Sequence, residues 1–385
     1  MRLSNILLII LALVSACTES FIPETSEYDD VLFIEAQVTD NPGVTPYVLI
    51  SRSLPVTTQE SDPPPRSSAL VSGASVTIHC DDGNDYILSE TGPGRYTPAD
   101  PLFIGEAGKS YSLSVVYDSQ TYESSNEILR ASPPVDSLSR DAVLEKTSDT
   151  GETVYGLRFF AHTHDEDSEP SYYRWELDAT YRYIVPLFST HRWFNKQVVF
   201  SENYDVSVCF KDRFVNGIFV SSTEGLERNL ISYAPLHFES QYGDKLSDTY
   251  SLHAKQLKIS ERTYKFWNDL SKLIYETGGL YETQPFRLEG NISCTSNPDI
   301  NIIGIFEVAG VAERRDFFFM PKEFEIIRLS CDYVKVGGEE LPWDILKEGA
   351  FLLEDEPGTF YSGSANCFDC QERGGTLVKP PFWEF

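Results

Sequence analysis

The run Tyr173-Arg174-Trp175-Glu176-Leu177-Asp178-Ala179-Thr180-Tyr181-Arg182-Tyr183-Ile184-Val185 decides the fold of this chain. Tyr173, Trp175, Leu177, Ala179, Tyr181, Tyr183 and Val185 fall on one side of a pleat, and Arg174, Glu176, Asp178, Thr180 and Arg182 on the other. Successive strand side chains point to opposite faces, so a period of two held over this length predicts a half-buried strand with an aromatic inner face. Working outward toward the N-terminus, shorter runs at 31–38, 47–51, 76–80, 86–88 and 111–117 repeat strand signals. Turn chemistry separates them: Asn41-Pro42-Gly43, Pro63-Pro64-Pro65, Asp82-Gly83-Asn84 and Gly92-Pro93-Gly94. Short strands at regular spacing with tight turns predict a β-sandwich. Pro133-Pro134 marks its end.

Toward the C-terminus, 208–215 and 218–222 flank Asn216-Gly217. Both turn positions tolerate positive φ, so a two-residue hairpin is expected there. Ser260 is placed to cap a helix over about 260–277, in which Tyr264, Trp267, Leu270 and Ile274 form an apolar stripe and Gly278-Gly279 end the run. Strand-like runs resume at 300–308, 317–320, 324–329 and 333–336. The expected fold is therefore mainly β. An immunoglobulin-like β-sandwich over 31–131 is followed by a second β-sandwich-type domain over 132–330 with one helical insertion, and a Cys-containing C-terminal segment, 331–385, packs on that second domain.

The N-terminus places the protein. One positive charge and an apolar run from Leu3 to Val14 end in Ser15-Ala16-Cys17. The run is about half to two thirds of a bilayer span, the length of a cleaved signal rather than a transmembrane helix. Small residues before Cys17 make a lipobox, so residues 1–16 are expected to be removed and Cys17 to carry the lipid (palmitate among its chains). Several acyl chains together make a stable anchor, at about 0.8 kcal/mol per buried methylene. Residues 17–30, rich in Glu and Asp, read as a flexible tether.

Composition narrows the function. The chain has 385 residues, 59 acidic against 31 basic, and a net charge of −28. Affinity for nucleic acid comes from clustered Lys and Arg that release counterions, so nucleic acid is excluded as a general partner. The same charge disfavours flat adhesion to anionic lipid heads. Beyond Cys17, six cysteines remain, an even number that points to disulfides in an exported protein. The tail is expected to be pinned by a bridge from Cys367 or Cys370 to Cys331, with Cys209 to Cys294 as a second bridge.

The motifs in order carry a resemblance. Val71-x-Gly73-Ala74-x-Val76, Gly94-x-Tyr96, Gly108-x-x-Tyr111, Tyr172-Tyr173-Arg174-Trp175, Tyr264-x-x-Trp267, Gln284-Pro285, Gly290-Asn291, Asn297-Pro298, Cys367-x-x-Cys370 and Phe382-Trp383 follow one another through the mature chain. In this the chain resembles the Bacteroidota outer-membrane lipoproteins grouped as domain of unknown function 4249. It departs from their pattern at Ile305, where they have Tyr, and at Pro381, where they have an acid. The resemblance implies a surface lipoprotein, often encoded near TonB-dependent outer-membrane transporters, with no catalytic residues to carry over. Residues 73–123 also look like carboxypeptidase-regulatory and immunoglobulin-like modules, which act as spacers or partner-binding domains.

Few residues suggest chemistry. His162-x-His164-Asp165 combines imidazoles on one strand face with a carboxylate, a donor set suited to zinc, although it precedes Ser168-Glu169-Pro170, which reads as a solvated loop. Asp81-Asp82-Gly83-Asn84-Asp85 offers oxygen ligands but lacks the spacing and distal Glu of a calcium loop. His191, Trp193 and Phe194, after Pro186, form a candidate aromatic patch for a ligand or partner. No nucleophile elbow, metalloprotease motif or phosphate loop is present. The expected function is a non-catalytic accessory lipoprotein that needs no cofactor and captures a ligand or docks onto a TonB-dependent transporter. The alternatives are a surface scaffold or adhesin and, more remotely, a carbohydrate- or peptide-active hydrolase.

Overall fold

Alternation in the first hundred mature residues builds the first sandwich. The computed structural model describes residues 31–53, 69–146, 151–275, 288–320, 324–328, 330–339 and 341–384. The expected leader 1–16, Cys17 and the tether lie outside the described residues, as do Pro63-Pro64-Pro65 and Gly278-Gly279. Strands β1 (Leu32–Thr39), β2 (Tyr47–Arg52), β3 (Ser75–Cys80), β4 (Asp85–Gly92), β5 (Arg95–Pro98), β6 (Ser110–Tyr117) and β7 (Gln120–Ser124) hydrogen-bond in the order β1-β2-β5-β4-β3-β6-β7, and β8 (Glu127–Ile128) pairs with β6. Ile34, Val38, Val48, Ile50, Val76, Ile78, Leu113 and Val115 are each at most 1% exposed. Burial of each such side chain contributes roughly 1.5–3 kcal/mol, so their shared inner face holds the sandwich together.

The second sandwich is built around the aromatic strand. Strands β9 (Val135–Lys146), β10 (Thr153–His164), β11 (Tyr172–Ile184), β12 (His191–Phe194), β13 (Gln197–Phe200), β14 (Val208–Ser222), β15 (Leu230–Ser240) and β16 (Thr249–Ile259) lead to helix α1 (Glu261–Tyr275). The sheet β15-β10-β9 lies against the sheet containing β14-β11-β16. Tyr173, Trp175, Leu177, Ala179 and Tyr183 of β11 are at most 1% exposed and pack with Leu157, Phe159 and Ala161 of β10. The hairpin expected at Asn216-Gly217 is not formed. Residues on both sides of it pair with the same strand, Val215 opposite Leu177 and Phe219 opposite Trp175, so the chain runs straight on and the extra residues bulge from β14. A bulge places two or more residues against one and bends the strand, and the turn chemistry of Asn-Gly suits that as well as a hairpin.

The two sandwiches share one strand, which corrects a simple cut at residue 132. Strand β17 (Ile292–Cys294) pairs with β7, and β18 (Ile302–Phe319) pairs in parallel with β1 through Ala309 and antiparallel with β16 from Gly310. Ile292, Phe306 and Val308 therefore complete the first core, while Phe318 belongs to the second. The runs expected separately at 300–308 and 317–320 are one 18-residue strand. At the crossover a Cβ on Gly310 would strike the backbone of Arg130 and Ser132, and the Gly310 amide donates to the Arg130 carbonyl at 3.0 Å. Glycine lets the inter-sandwich linker cross against the strand. Helix α1 is capped by Ser260, whose Oγ accepts from the Thr263 amide at 3.2 Å. Tyr264 and Trp267 cover Leu257, Ile259 and Ala309, whereas Ile274 of the expected stripe is 54% exposed.

The C-terminal segment forms a third small unit with a hairpin from the middle of the chain. Strands β19 (Tyr333–Lys335), β20 (Phe351–Glu356) and β21 (Thr359–Gly363) join the earlier hairpin in the order β13-β12-β20-β21-β19. Residues 324–328 form no named strand: Ile327 makes an isolated bridge to Tyr242, and Phe324 is buried in the second core against Tyr155. Two disulfides fasten this unit, Cys331–Cys367 within it and Cys209–Cys370 to the second sandwich. The expected bridge from Cys209 to Cys294 is thereby corrected. Cys209 sits beside the tail on β14, whereas Cys294 is a free, buried thiol in the first core, as is Cys80.

Candidate functional site

The residues singled out from sequence do not converge. His162 Nε2 hydrogen-bonds Ser139 Oγ at 2.7 Å, His164 Nδ1 contacts Asp136 at 2.7 Å, and Asp165 turns away to Lys258 Nζ, also at 2.7 Å. His162 and His164 both stay on the outer face of β10 with Thr163 buried between them, but each is engaged by a different neighbour on β9. Among the described residues no group of three or more His, Cys, Asp or Glu side chains is placed to hold a metal. Asp81 and Asp82 serve a turn, accepting from the amides of Ser110 at 3.0 Å and Asn84 at 2.9 Å.

The aromatic patch is also corrected. Trp193 is core, stacked on Trp343 with ring centres 5.0 Å apart, because β12 lies inside the five-stranded sheet rather than on a free loop. His191 is half-buried between Phe200 and Phe360, and Phe194 stays at the surface.

Ser139 and His162 form a pair that invites comparison with an activated nucleophile, and their geometry argues against it. The Tyr233 amide donates to His162 Nδ1 at 3.4 Å, which leaves the ring proton on Nε2, pointing at Ser139. An imidazole acting as base needs its lone pair on that nitrogen.

A large cleft lies where the two sandwiches and α1 meet, with a volume of 1610 Å³. One wall comes from the end of the first sandwich, including Glu127, Ile128 and Arg130, with Glu289 and Gly290 beside it. The other comes from Glu169–Tyr172, the end of β16 and the near side of α1, including Lys258, Arg262, Lys265, Asp269 and Lys272. Glycine is required at Gly290, where a Cβ would collide with the carbonyl of Gly304 on β18. The neighbouring Asn291 then bridges Glu127 Oε1 at 3.0 Å and the Phe306 carbonyl at 2.8 Å, fixing the cleft floor.

Five cations and five acids line this cleft (Arg130, Lys258, Arg262, Lys265, Lys272 against Glu127, Glu169, Glu261, Asp269, Glu289) in a chain with nearly twice as many acids as bases. Lys265 pairs with Glu261, Lys272 with Asp269, and buried Lys258 with Asp165 and Asp167. Burial alone would raise the Asp165 carboxyl. The Lys258 ammonium, the Ser171 and Tyr173 hydroxyls and the Asp167 amide more than offset this and hold it at about 2. Arg130 and Arg262 are exposed on opposite walls, and no side-chain partner is found for either among the described residues.

Behind the cleft a buried charge network locks its walls. Arg174 donates to both oxygens of Glu307, from Nε at 2.9 Å and from Nη2 at 2.6 Å, and Nη2 also reaches Glu176 at 2.6 Å. Gln37 of the first sandwich donates to Glu307 at 2.9 Å, and Trp267 Nε1 of α1 does so at 2.9 Å. The guanidinium lies 4.8 Å from the Trp267 ring centre. Burial alone would favour loss of the guanidinium proton, but the two carboxylates reverse this and raise the Arg174 pKa. The sequence motifs contained Arg174 and Trp267 but missed Gln37 and Glu307. The available signal was a lone acid in the apolar run Ile302 to Val308, since a charge on a buried strand needs a partner.

A second buried group sets the response to acid. His237 stacks on Phe159 with ring centres 4.7 Å apart and shares a 2.8 Å hydrogen bond with the Tyr250 hydroxyl. Burial first, then the positive charges of Arg213, Arg158 and Lys245, push its pKa down to about 3. The folded protein thus keeps His237 neutral where the unfolded chain, with a pKa of about 6.5, takes up a proton. Stability is expected to fall as pH drops below about 6.5, by on the order of 1 kcal/mol per pH unit. Asp165 adds a separate loss only below about pH 4. Denaturant midpoints measured from pH 7 to 4.5 should decline in the natural protein and decline less steeply in His237→Phe, because His253, whose pKa burial also lowers, still contributes; equal slopes would refute the assignment.

A sequence profile of the family described as Domain of unknown function (DUF4249) matches residues 18–315. No curated protein matches the chain.

Proposed function

The chain belongs to this family of unknown function, and from that premise we propose that it is a non-catalytic lipoprotein, held on the outer membrane through Cys17, that docks a TonB-dependent transporter or captures a ligand for it. The observation that carries the reading is the cleft, a large concave surface built by two β-sandwiches that the Arg174–Glu307 network locks together. Clefts between domains are preferred binding positions, and this one offers polar and charged contacts rather than a deep apolar pocket. Two disulfides support a location outside the cytoplasm, where oxidised thiols persist. The apolar leader ending at Ser15-Ala16-Cys17 supports anchorage by lipid.

The test is isolation of the tagged full-length protein from gently solubilised membranes. An outer-membrane transporter is expected to accompany it in near-stoichiometric amount and to be lost with Cys17→Ser. A lipoprotein that emerges alone under the same conditions would contradict the proposal.

A further inference from the structure

We infer that the cleft between the sandwiches recognises an acidic polypeptide segment through Arg130 and Arg262. This deepens the docking reading above and rests on it. With 59 acids against 31 bases, many acids go without a basic partner wherever they sit, so an unpaired glutamate in this chain carries little information. An arginine without a carboxylate in such a chain is a different matter. Most cations along the cleft already have one: Lys258, Lys265 and Lys272 are each bound to acids at their side. Among the described residues Arg130 and Arg262 are not, although both line the same cleft.

The two arginines also differ in mounting. Arg130 stands on the linker whose carbonyl receives the Gly310 amide, and Arg262 on the first turn of α1, which Ser260 caps and Trp267 ties to Glu307. Both forks are therefore carried on braced backbone while their heads stay solvated. A guanidinium fork matches a carboxylate with two parallel hydrogen bonds. The acids that share the cleft define the rest of the ligand. A uniformly charged polyanion would lie against Glu127, Glu169, Glu261, Asp269 and Glu289, and like charges in contact are costly. A polypeptide can space its carboxylates to meet the two arginines and place neutral or basic residues against the glutamates. A volume of 1610 Å³ accommodates several residues of such a segment.

The experiment uses the purified mature chain and fluorescence anisotropy at about 0.15 M salt, where charges beyond roughly 8 Å are screened and the net charge of the protein no longer dominates. The probe is a labelled peptide alternating Glu with Ser and Gly; controls are its Glu-to-Gln counterpart and polygalacturonate. The Glu peptide is expected to bind. Arg130→Gln and Arg262→Gln should each weaken it about five- to tenfold, and Arg228→Gln, which removes an exposed charge outside the cleft, should leave it unchanged. In Arg130→Glu/Arg262→Glu the preference should invert toward a Lys-for-Glu peptide. Failure of the Glu peptide to bind, equal binding of its Gln counterpart, tighter binding of polygalacturonate, or equal weakening by Arg228→Gln would each overturn the inference. Both positions are exposed, and an unchanged thermal midpoint excludes misfolding. If transporter co-isolation persists while peptide binding fails, the docking reading stands without this inference; the converse separates the two the other way.

Discussion

Replacing Glu307 with alanine is expected to destabilise the protein by about 3–5 kcal/mol, one of the two largest effects of any single site or bridge considered. Glu307 is 2% exposed and accepts hydrogen bonds from Arg174, Gln37 and Trp267. Its removal leaves the Arg174 guanidinium buried with only Glu176 as a counter-charge, and the unpaired charge, rather than lost attraction, sets the cost. The test of that distinction is the double variant Glu307→Leu with Arg174→Met, which removes both charges and should recover most of the loss. Urea midpoints of the single and double variants decide it: equal destabilisation in both would mean that the pair itself, not the orphaned charge, matters. Because the network joins β1, β11, β18 and α1, the single variant should also loosen the cleft, seen as faster amide exchange on both sides of it.

The second large effect concerns the tail. Cys209→Ala with Cys370→Ala opens a bridge between positions 161 residues apart and should cost about 2–5 kcal/mol. Both cysteines are fully buried, and the bridge lies where Tyr183 donates to the Cys370 carbonyl at 2.6 Å and where Trp383 packs edge-on against Phe210 and Phe317. Loss of the bridge should free the end of the tail to limited proteolysis well before the sandwiches unfold. By contrast, Cys331→Ala with Cys367→Ala opens a bridge between positions only 36 residues apart within the small unit and should leave Trp383 protected. Equal protease sensitivity in the two variants would contradict the assigned connectivity.

Legibility in the sequence followed from how local each signal was. Strand β11 could be read because its alternation is complete within itself, and its inner residues are the buried ones. Helix α1 could be read from a cap and a stripe, both local, apart from its C-terminal end where Ile274 is exposed. Pairing is not local. Asn216-Gly217 carries the same residues whether the chain turns or bulges, and only the common partner β11 decides. The partition of β18 between two sheets could not be read either, since 302–309 and 310–319 are apolar or mixed for different neighbours. The Cys331–Cys367 bridge is one of the two expected for Cys331, but the partner of Cys209 could not be read for the same reason: Cys209 and Cys370 are brought together by a tail that crosses β14 through paired hydrogen bonds between Phe210 and Thr376. For the candidate site, Arg174, Trp267 and Asn291 stood out as motif members, whereas Gln37, Glu307, Arg130 and Arg262 acquire meaning only from what they face.

The account depends most on the position of the protein at a membrane by acyl chains, since a docking role near a transporter requires it. The direct measurement is the mass of the N-terminal peptide of the protein recovered from the membrane fraction. A peptide that begins at Cys17 and carries acyl chains is the expected result. A peptide that begins at Met1, or an unmodified Cys17 on protein found in the soluble fraction, would contradict it.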